Sequence, residues 1–194
     1  MTWLQPDPGQ TPLPPDEAAG LRLAGIATRD ELNAAEQANI VAAETWAFAR
    51  RRASEHLLRE RFMLNLHKRM FGQVWRWAGK FRRLETSIGI DPRDIPVQLR
   101  MLADDANTWI EFHSYGPDEV ALRLAHRLVV IRPFANGNGR HSRLMADLVI
   151  ESLGFPRFTW GAAGDPATAR ARYLAALRAA DDRDIRPLLD FART

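Results

Sequence analysis

Cysteine is missing from all 194 residues, which excludes disulfides and thiolate metal sites alike. Long apolar runs are missing too. None approaches the length of a membrane span, and no N-terminal stretch has the layout of a secretory leader. The cytoplasm is therefore the expected compartment, with no membrane partner. Charge of one sign is also scarce. The net charge is only +3, with 27 basic and 24 acidic residues well mixed, so a calculated pI near 9.9 is a poor footprint for nucleic-acid binding. No internal repeat is visible. What remains is a chain with 46% apolar residues, long enough for one domain with a real core.

Proline is concentrated at the start, in "QPDPGQTPLPPDEAAG", and predicts an extended arm over residues 1–27. A single domain is expected over 28–194. Thr28 and Glu31 form a capping-box pattern, which predicts a long helix through Leu32, Ile40 and Ala47 into the fifties. A second helical run covers "EHLLRERFMLNLHKRMFGQV". Helical periodicity is lost over "TSIGI", and a small β-hairpin is expected at about Arg82 to Asp91. It then returns: Leu99, Leu102, Ala106 and Trp109 share one face, as do Val120, Leu124, Leu128 and Ile131. Pro117 suits the first turn of the second of these helices. Further helices are expected through Leu144 and Leu148, from the Asp165-Pro166 start through Tyr173, and over Ile185 to Phe191. The fold class is mostly α with one small β element.

Between two of these helices lies "IRPFANGNGRHSR". Pro133 biases Arg132 away from the helical region, and a new helix is expected to start between Gly137 and Arg140. A helix N-terminus directs free N–H groups and partial positive charge outward. Gly137 and Gly139 let an anion approach the backbone, and Arg140 and Arg143 are spaced to face that end together. Forked guanidiniums match phosphate oxygens, and Asn138 carries a further donor. The pattern is that of a di- or triphosphate cradle. The plain alternative is a helix–loop–helix turn with solvated arginines. A Walker loop is excluded because its GxxxxGK[ST] spacing is absent.

The stretch resembles the signature of the Fic family, HPFx[DE]GNGRxxR. It reads Arg132, Pro133, Phe134, Ala135, Asn136, Gly137, Asn138, Gly139 and Arg140, then Arg143. "FGQVWRWAGKFR" (Phe71 to Arg82) resembles the segment leading to that family's flap, and Thr86, Ser87, Ile88 and Gly89 fall where the target-docking flap would be. "TPLPPDEAAGL", "ELNAAEQANI", "GRHSRLMADL" and "PRFTWG" are most similar to the subgroup called mobile mystery protein B. The resemblance implies a helical Fic fold that binds ATP with Mg²⁺ and transfers AMP to a Ser, Thr or Tyr hydroxyl of a target protein. It implies a regulatory partner similar to mobile mystery protein A. It implies that Phe134, Gly137, Asn138, Gly139, Arg140 and Arg143 hold the nucleotide, with Asn138 and Arg140 also serving catalysis.

Two positions depart. The family's base is the signature His, and Arg132 stands there; an arginine stays protonated and offers no acceptor. Losing a general base typically costs about 10²- to 10⁴-fold. Asn136 occupies the acidic position, where it would be a weak, uncharged Mg²⁺ ligand. His141 and His126 are expected to be structural or surface residues, not replacement bases. Trp75, Trp77 and Phe81 are expected in the core. Glu31 is one residue out of step with the family's inhibitory [ST]xxxE[GN] pattern, so the capping box is its expected role. The leading expectation is an adenylyltransferase scaffold, inactive or severely impaired as it stands. The alternative is a catalytically silent nucleotide-binding or protein-interaction module of a mobile genetic element.

Overall fold

Thr28 starts the first long helix by an exchange of bonds with Glu31. Its hydroxyl accepts from the Glu31 N–H (3.2 Å), and the Glu31 carboxylate accepts from the N–H groups of Thr28 (3.0 Å) and Ala27 (2.8 Å). These bonds lower the Glu31 pKa, led by that from Ala27. The capping box is thus the role the residue has. The computed structural model describes residues 18–194, so most of the proline-rich arm lies outside the described residues.

Helix α1 spans Arg29–Phe48, ending short of the fifties. The second predicted run is broken in two, α2 (Ser54–Leu57) and α3 (Glu60–Phe71). No glycine or proline marks the break. The chain leaves the helical region at Arg59, which is extended (φ -68°, ψ 134°). A 3₁₀ turn at Pro92–Asp94 leads into α4 (Ile95–Glu111), followed by α5 (Pro117–Ile131) and α6 (Asn138–Ser152). Helices α7 (Pro166–Asp181) and α8 (Arg186–Arg193) pack together at the end of the chain.

The centre of the bundle is α6. His141, Ser142, Leu144, Met145, Ala146, Leu148, Val149 and Ile150 are all buried, leaving one half-buried stripe of Arg140, Arg143, Asp147 and Glu151. A helix buried around most of its circumference belongs inside its domain. It packs chiefly on α5, and α1, α2 and α3 close over it. The bidentate pair of Arg193 with Asp118 ties α8 back to the first turn of α5. No helix among the described residues is long and apolar enough to cross a membrane.

The predicted β-hairpin over Arg82 to Asp91 is not formed. The described residues contain no strand, only an isolated bridge between Leu21 and Trp75. The physical reason lies in Arg82. Its guanidinium donates to the carbonyls of Leu84 (2.9 Å) and Ile90, and the Thr86 hydroxyl donates to the Ile88 carbonyl. Side chains take the acceptors that a strand ladder would use, so β-favouring residues follow an irregular path.

Candidate functional site

Helix α5 stops at Arg132, which adopts the left-handed conformation (φ 53°) and still donates its N–H to the Leu128 carbonyl at 3.0 Å. The pre-proline position leaves the helical region as expected, but for the left-handed cap rather than extended backbone. The chain re-enters a helix at Gly137, also left-handed (φ 78°), and α6 begins with no side chain capping its N-terminus. The turn between is closed by Asn138. Its Oδ1 accepts from the Phe134 N–H (3.0 Å) and its Nδ2 donates to the Phe134 carbonyl (2.7 Å). Asn138 is buried and both ends of its amide are committed. Its two bonds to Phe134 shape the cradle.

Beneath the loop sits a buried aromatic floor. The His67 ring stacks on Phe134 with centroids 3.6 Å apart and planes 14° apart. Its Nδ1 accepts from the Gly79 N–H (3.0 Å), so Nε2 carries the proton and donates to the Asn136 carbonyl (3.0 Å). His141 meets Phe134 edge-on and its Nε2 donates to the Met63 carbonyl at 3.0 Å. Burial, then the neighbouring His141, push the His67 pKa well below the ordinary imidazole value; burial pushes that of His141 down to about 4. Neither ring can exchange a proton with a ligand above the loop. His126 bonds Asp181 of α7 (2.8 Å), away from the loop. The expectation that His141 and His126 are structural or surface residues is met.

These buried rings make a prediction. Their folded pKa values lie below the unfolded one, so the stability they contribute is complete above pH 6.5 and is lost as pH falls toward 4. From pH 7 to pH 5, His141 alone is expected to cost about 2 kcal/mol. Asp147, pushed up to about 6 by burial, gains stability over the same window and works in the opposite direction. The test is therefore a difference between chains. Urea unfolding of His141→Gln should lose less stability than the parent between those pH values, by about 2 kcal/mol. Equal losses would show that the ring is not held neutral by burial.

The arginines divide their tasks. Arg140 donates to Glu36 of α1 at 2.7 Å, and its guanidinium lies 4.8 Å from the Phe71 ring centroid. The Glu36 carboxylate is buried and also accepts from the Trp75 indole at 2.7 Å. Arg143 instead lies over the Tyr173 ring, 5.4 Å from its centroid. The two do not converge as their spacing implied. Arg132 is half-buried, and its Nε has no hydrogen-bond partner. Burial, then the neighbouring Arg82, lower its pKa from the usual arginine value, yet a guanidinium remains a cation throughout the working range.

The two glycines differ in kind. A Cβ at Gly137 would stand 2.5 Å from the Phe71 ring, so the packing of the loop demands glycine there. A Cβ at Gly139 would meet nothing within 4 Å. Neither backbone strain nor packing explains Gly139, and the open space beside it is where a ligand can approach the N-terminus of α6. Asn136 does not fit as a Mg²⁺ ligand: its Oδ1 is turned back onto the Gly137 N–H at 2.6 Å, and the amide is uncharged. No cluster of metal-ligating side chains occurs among the described residues.

Three further residues of the site escaped the sequence reading. Glu36 and His67 each interrupt an apolar helical stripe, Leu32–Ile40–Ala43–Ala47 and Met63–Leu66–Met70, which is a legible sign of a polar group with a buried task. Arg82, 4% exposed, carries no such sign. Trp75 is buried and stacks on Trp77 at 5.0 Å; Trp77 and Phe81 pack half-buried against the core, as expected.

Fold and site together define an α-helical domain organised around a glycine loop that runs into the N-terminus of its central helix. Comparison gives that class its family: residues 57–150 match the Fic/DOC family model and are a Fic/DOC family domain. The chain is 32% identical over 133 residues to the protein adenylyltransferase Fic of Drosophila grimshawi, covering 66% of this chain and 26% of that relative. It is 30% identical over 137 residues to the protein adenylyltransferase fic-1 of Caenorhabditis elegans, covering 66% and 25%. It thus spans about a quarter of the length of these relatives. Among solved structures, Fic-1 (residues 134–508) from C. elegans superposes with a TM-score of 0.67 at 24% identity, over 90% of this chain and 51% of that one. The BepC protein of Bartonella tribocorum, solved with bound AMPPNP, gives 0.68 at 15% identity over 91% and 95%. The fold is the mostly helical Fic fold.

Proposed function

We propose that this chain binds ATP by its phosphates at the N-terminus of α6 and is a scaffold for AMP transfer to a protein hydroxyl. The carrying observation is Gly139, a glycine with open space where its Cβ would be, on the uncapped first turn of a helix. Phosphate oxygens accept from the N–H groups of that turn, Arg143 grips the outer phosphate, and Arg140 reaches the phosphates once it is released from Glu36. The segment Thr86, Ser87, Ile88 and Gly89 aligns the target. Mg²⁺ enters this reading only as the counter-ion of the nucleotide, because Asn136 supplies no suitable ligand.

In the transfer, the target's hydroxyl oxygen bonds to the α-phosphorus, the bond from that phosphorus to the bridging oxygen breaks, and pyrophosphate leaves. The hydroxyl proton must go to a base. Arg132 stands at the family's base position and accepts no proton, so the chain as it stands transfers AMP very slowly. That same residue favours the second reading, a catalytically silent nucleotide-binding or interaction module.

Calorimetry tests the shared first step. The parent chain should bind ATP, and Arg143→Ala should weaken binding by about 1.5 to 3 kcal/mol, the range for a hydrogen bond to a charged group. Unchanged affinity in the variant would remove Arg143 from the site. No binding by the parent would remove the transfer reading and leave only the interaction module.

A further inference from the structure

We propose that Arg82 is a positioning residue that sets the height and register of segment 84–90 above residue 132. Its meaning for transfer rests on the function proposed above; its geometry does not. The Arg82 side chain is buried, and its donors reach two separate pieces of backbone. Nε–H donates to the Arg132 carbonyl at 2.7 Å and Nη2 to the Ile131 carbonyl at 3.5 Å, so one edge of the guanidinium is fixed to the end of α5. Nη1 donates to the Leu84 carbonyl at 2.9 Å and Nη2 to that of Ile90. The Arg82 N–H adds a bond to the Pro133 carbonyl at 2.9 Å.

Leu84 and Ile90 bracket the segment. A hairpin would join two such positions by cross-strand bonds; here one planar group joins them instead. Because the donors of a guanidinium are fixed relative to one another, the carbonyls of residues 84, 90 and 132 are fixed relative to one another as well. Gly89 reports how closely the two pieces lie. A Cβ there would stand 3.0 Å from the Arg132 Cβ, 3.0 Å from the Arg82 Nη2 and 3.2 Å from the Arg132 Cδ, and its φ is +112°. The segment rests directly on position 132, with no slack. A peptide laid along it inherits that height, and an error of about 1 Å at a reacting centre can cost about a hundredfold in rate. Lysine cannot substitute, since a point cation on a flexible stem does not hold carbonyls on several sides in one plane.

The chain has no cysteine, so spin labels can be introduced singly or in pairs without background. Ile88, Phe112 and Phe155 are all exposed. Labels at Ile88→Cys and Phe155→Cys report segment 84–90 against the turn that ends α6; labels at Phe112→Cys and Phe155→Cys report the bundle alone. Arg82→Lys should at least double the width of the first distance distribution and leave the second within about a tenth of its parent width. ATP affinity should stay within about twofold. In the Arg132→His chain, Arg82→Lys should lower labelled-AMP self-incorporation from ATP by about ten- to a hundredfold. An unchanged first distribution, or equal broadening of both, would overturn the proposal, the latter making Arg82 a general stabiliser. The expected broadening with no transfer by Arg132→His carrying the native Arg82 would sink the AMP-transfer reading and leave the positioning role standing.

Discussion

Arg132→His is expected to raise AMP transfer by about two to four orders of magnitude, roughly the usual worth of a general base. The substitution places an imidazole, with an unperturbed pKa of about 6.5, at the position that the proposed reading sets opposite the incoming hydroxyl. The backbone tolerates it. Residue 132 has φ 53°, and histidine is among the non-glycine residues enriched in that left-handed region. ATP affinity should change far less than the rate, because a base acts mainly in the transition state. The structure narrows the alternatives. His67 has both ring nitrogens bonded, His141 is sealed against Met63 and Phe134, and His126 is paired with Asp181. The measurement is labelled-AMP incorporation into protein, or into the chain itself, by parent and variant side by side. Equal rates would mean that residue 132 does not take the proton. No transfer by either chain, with ATP bound, would leave the silent module as the surviving reading.

The second large effect separates the two glycines. Gly137→Ala is expected to destabilise the chain by about 2 to 5 kcal/mol. The sum combines about 1 to 2 for a side chain in the left-handed region with about 1 to 3 for overpacking against Phe71. Gly139→Ala should do the reverse. Its Cβ meets nothing, and an alanine inside a helix is favoured over glycine by about 0.5 to 1 kcal/mol. Yet the new methyl stands where the phosphates would approach, so ATP binding should weaken at least tenfold in a chain that is as stable as the parent or more so. Urea unfolding and calorimetry on the same two proteins read both quantities. Gly139→Ala binding ATP as tightly as the parent would remove the cradle from the first turn of α6.

The long helices could be read from local rules. The Thr28 capping box, Pro117 at the first turn of α5 and Pro166 at the start of α7 are decided within a few residues, where backbone hydrogen bonds close. The order of glycines and arginines in the signature, and the fact that residue 132 cannot accept a proton, are likewise properties of the sequence. The hairpin misled because β-propensity speaks for strands that find partners, and here Arg82 takes the carbonyls first.

What the tertiary structure decided is how side chains far apart in sequence spend their bonds. The signature alone implied that Arg140, Arg143 and Asn138 all face the ligand. Packing turned Arg140 toward Glu36 across 104 positions, laid Arg143 over Tyr173, and folded Asn138 back onto Phe134. It also set His67 beneath Asn136 and bound Arg82 to Arg132. Local propensity acts over a turn or two, so it can say where a helix begins. A buried donor takes whichever acceptor the fold carries to it, and that choice exists only once α1, α3 and the segment after it have closed on α6.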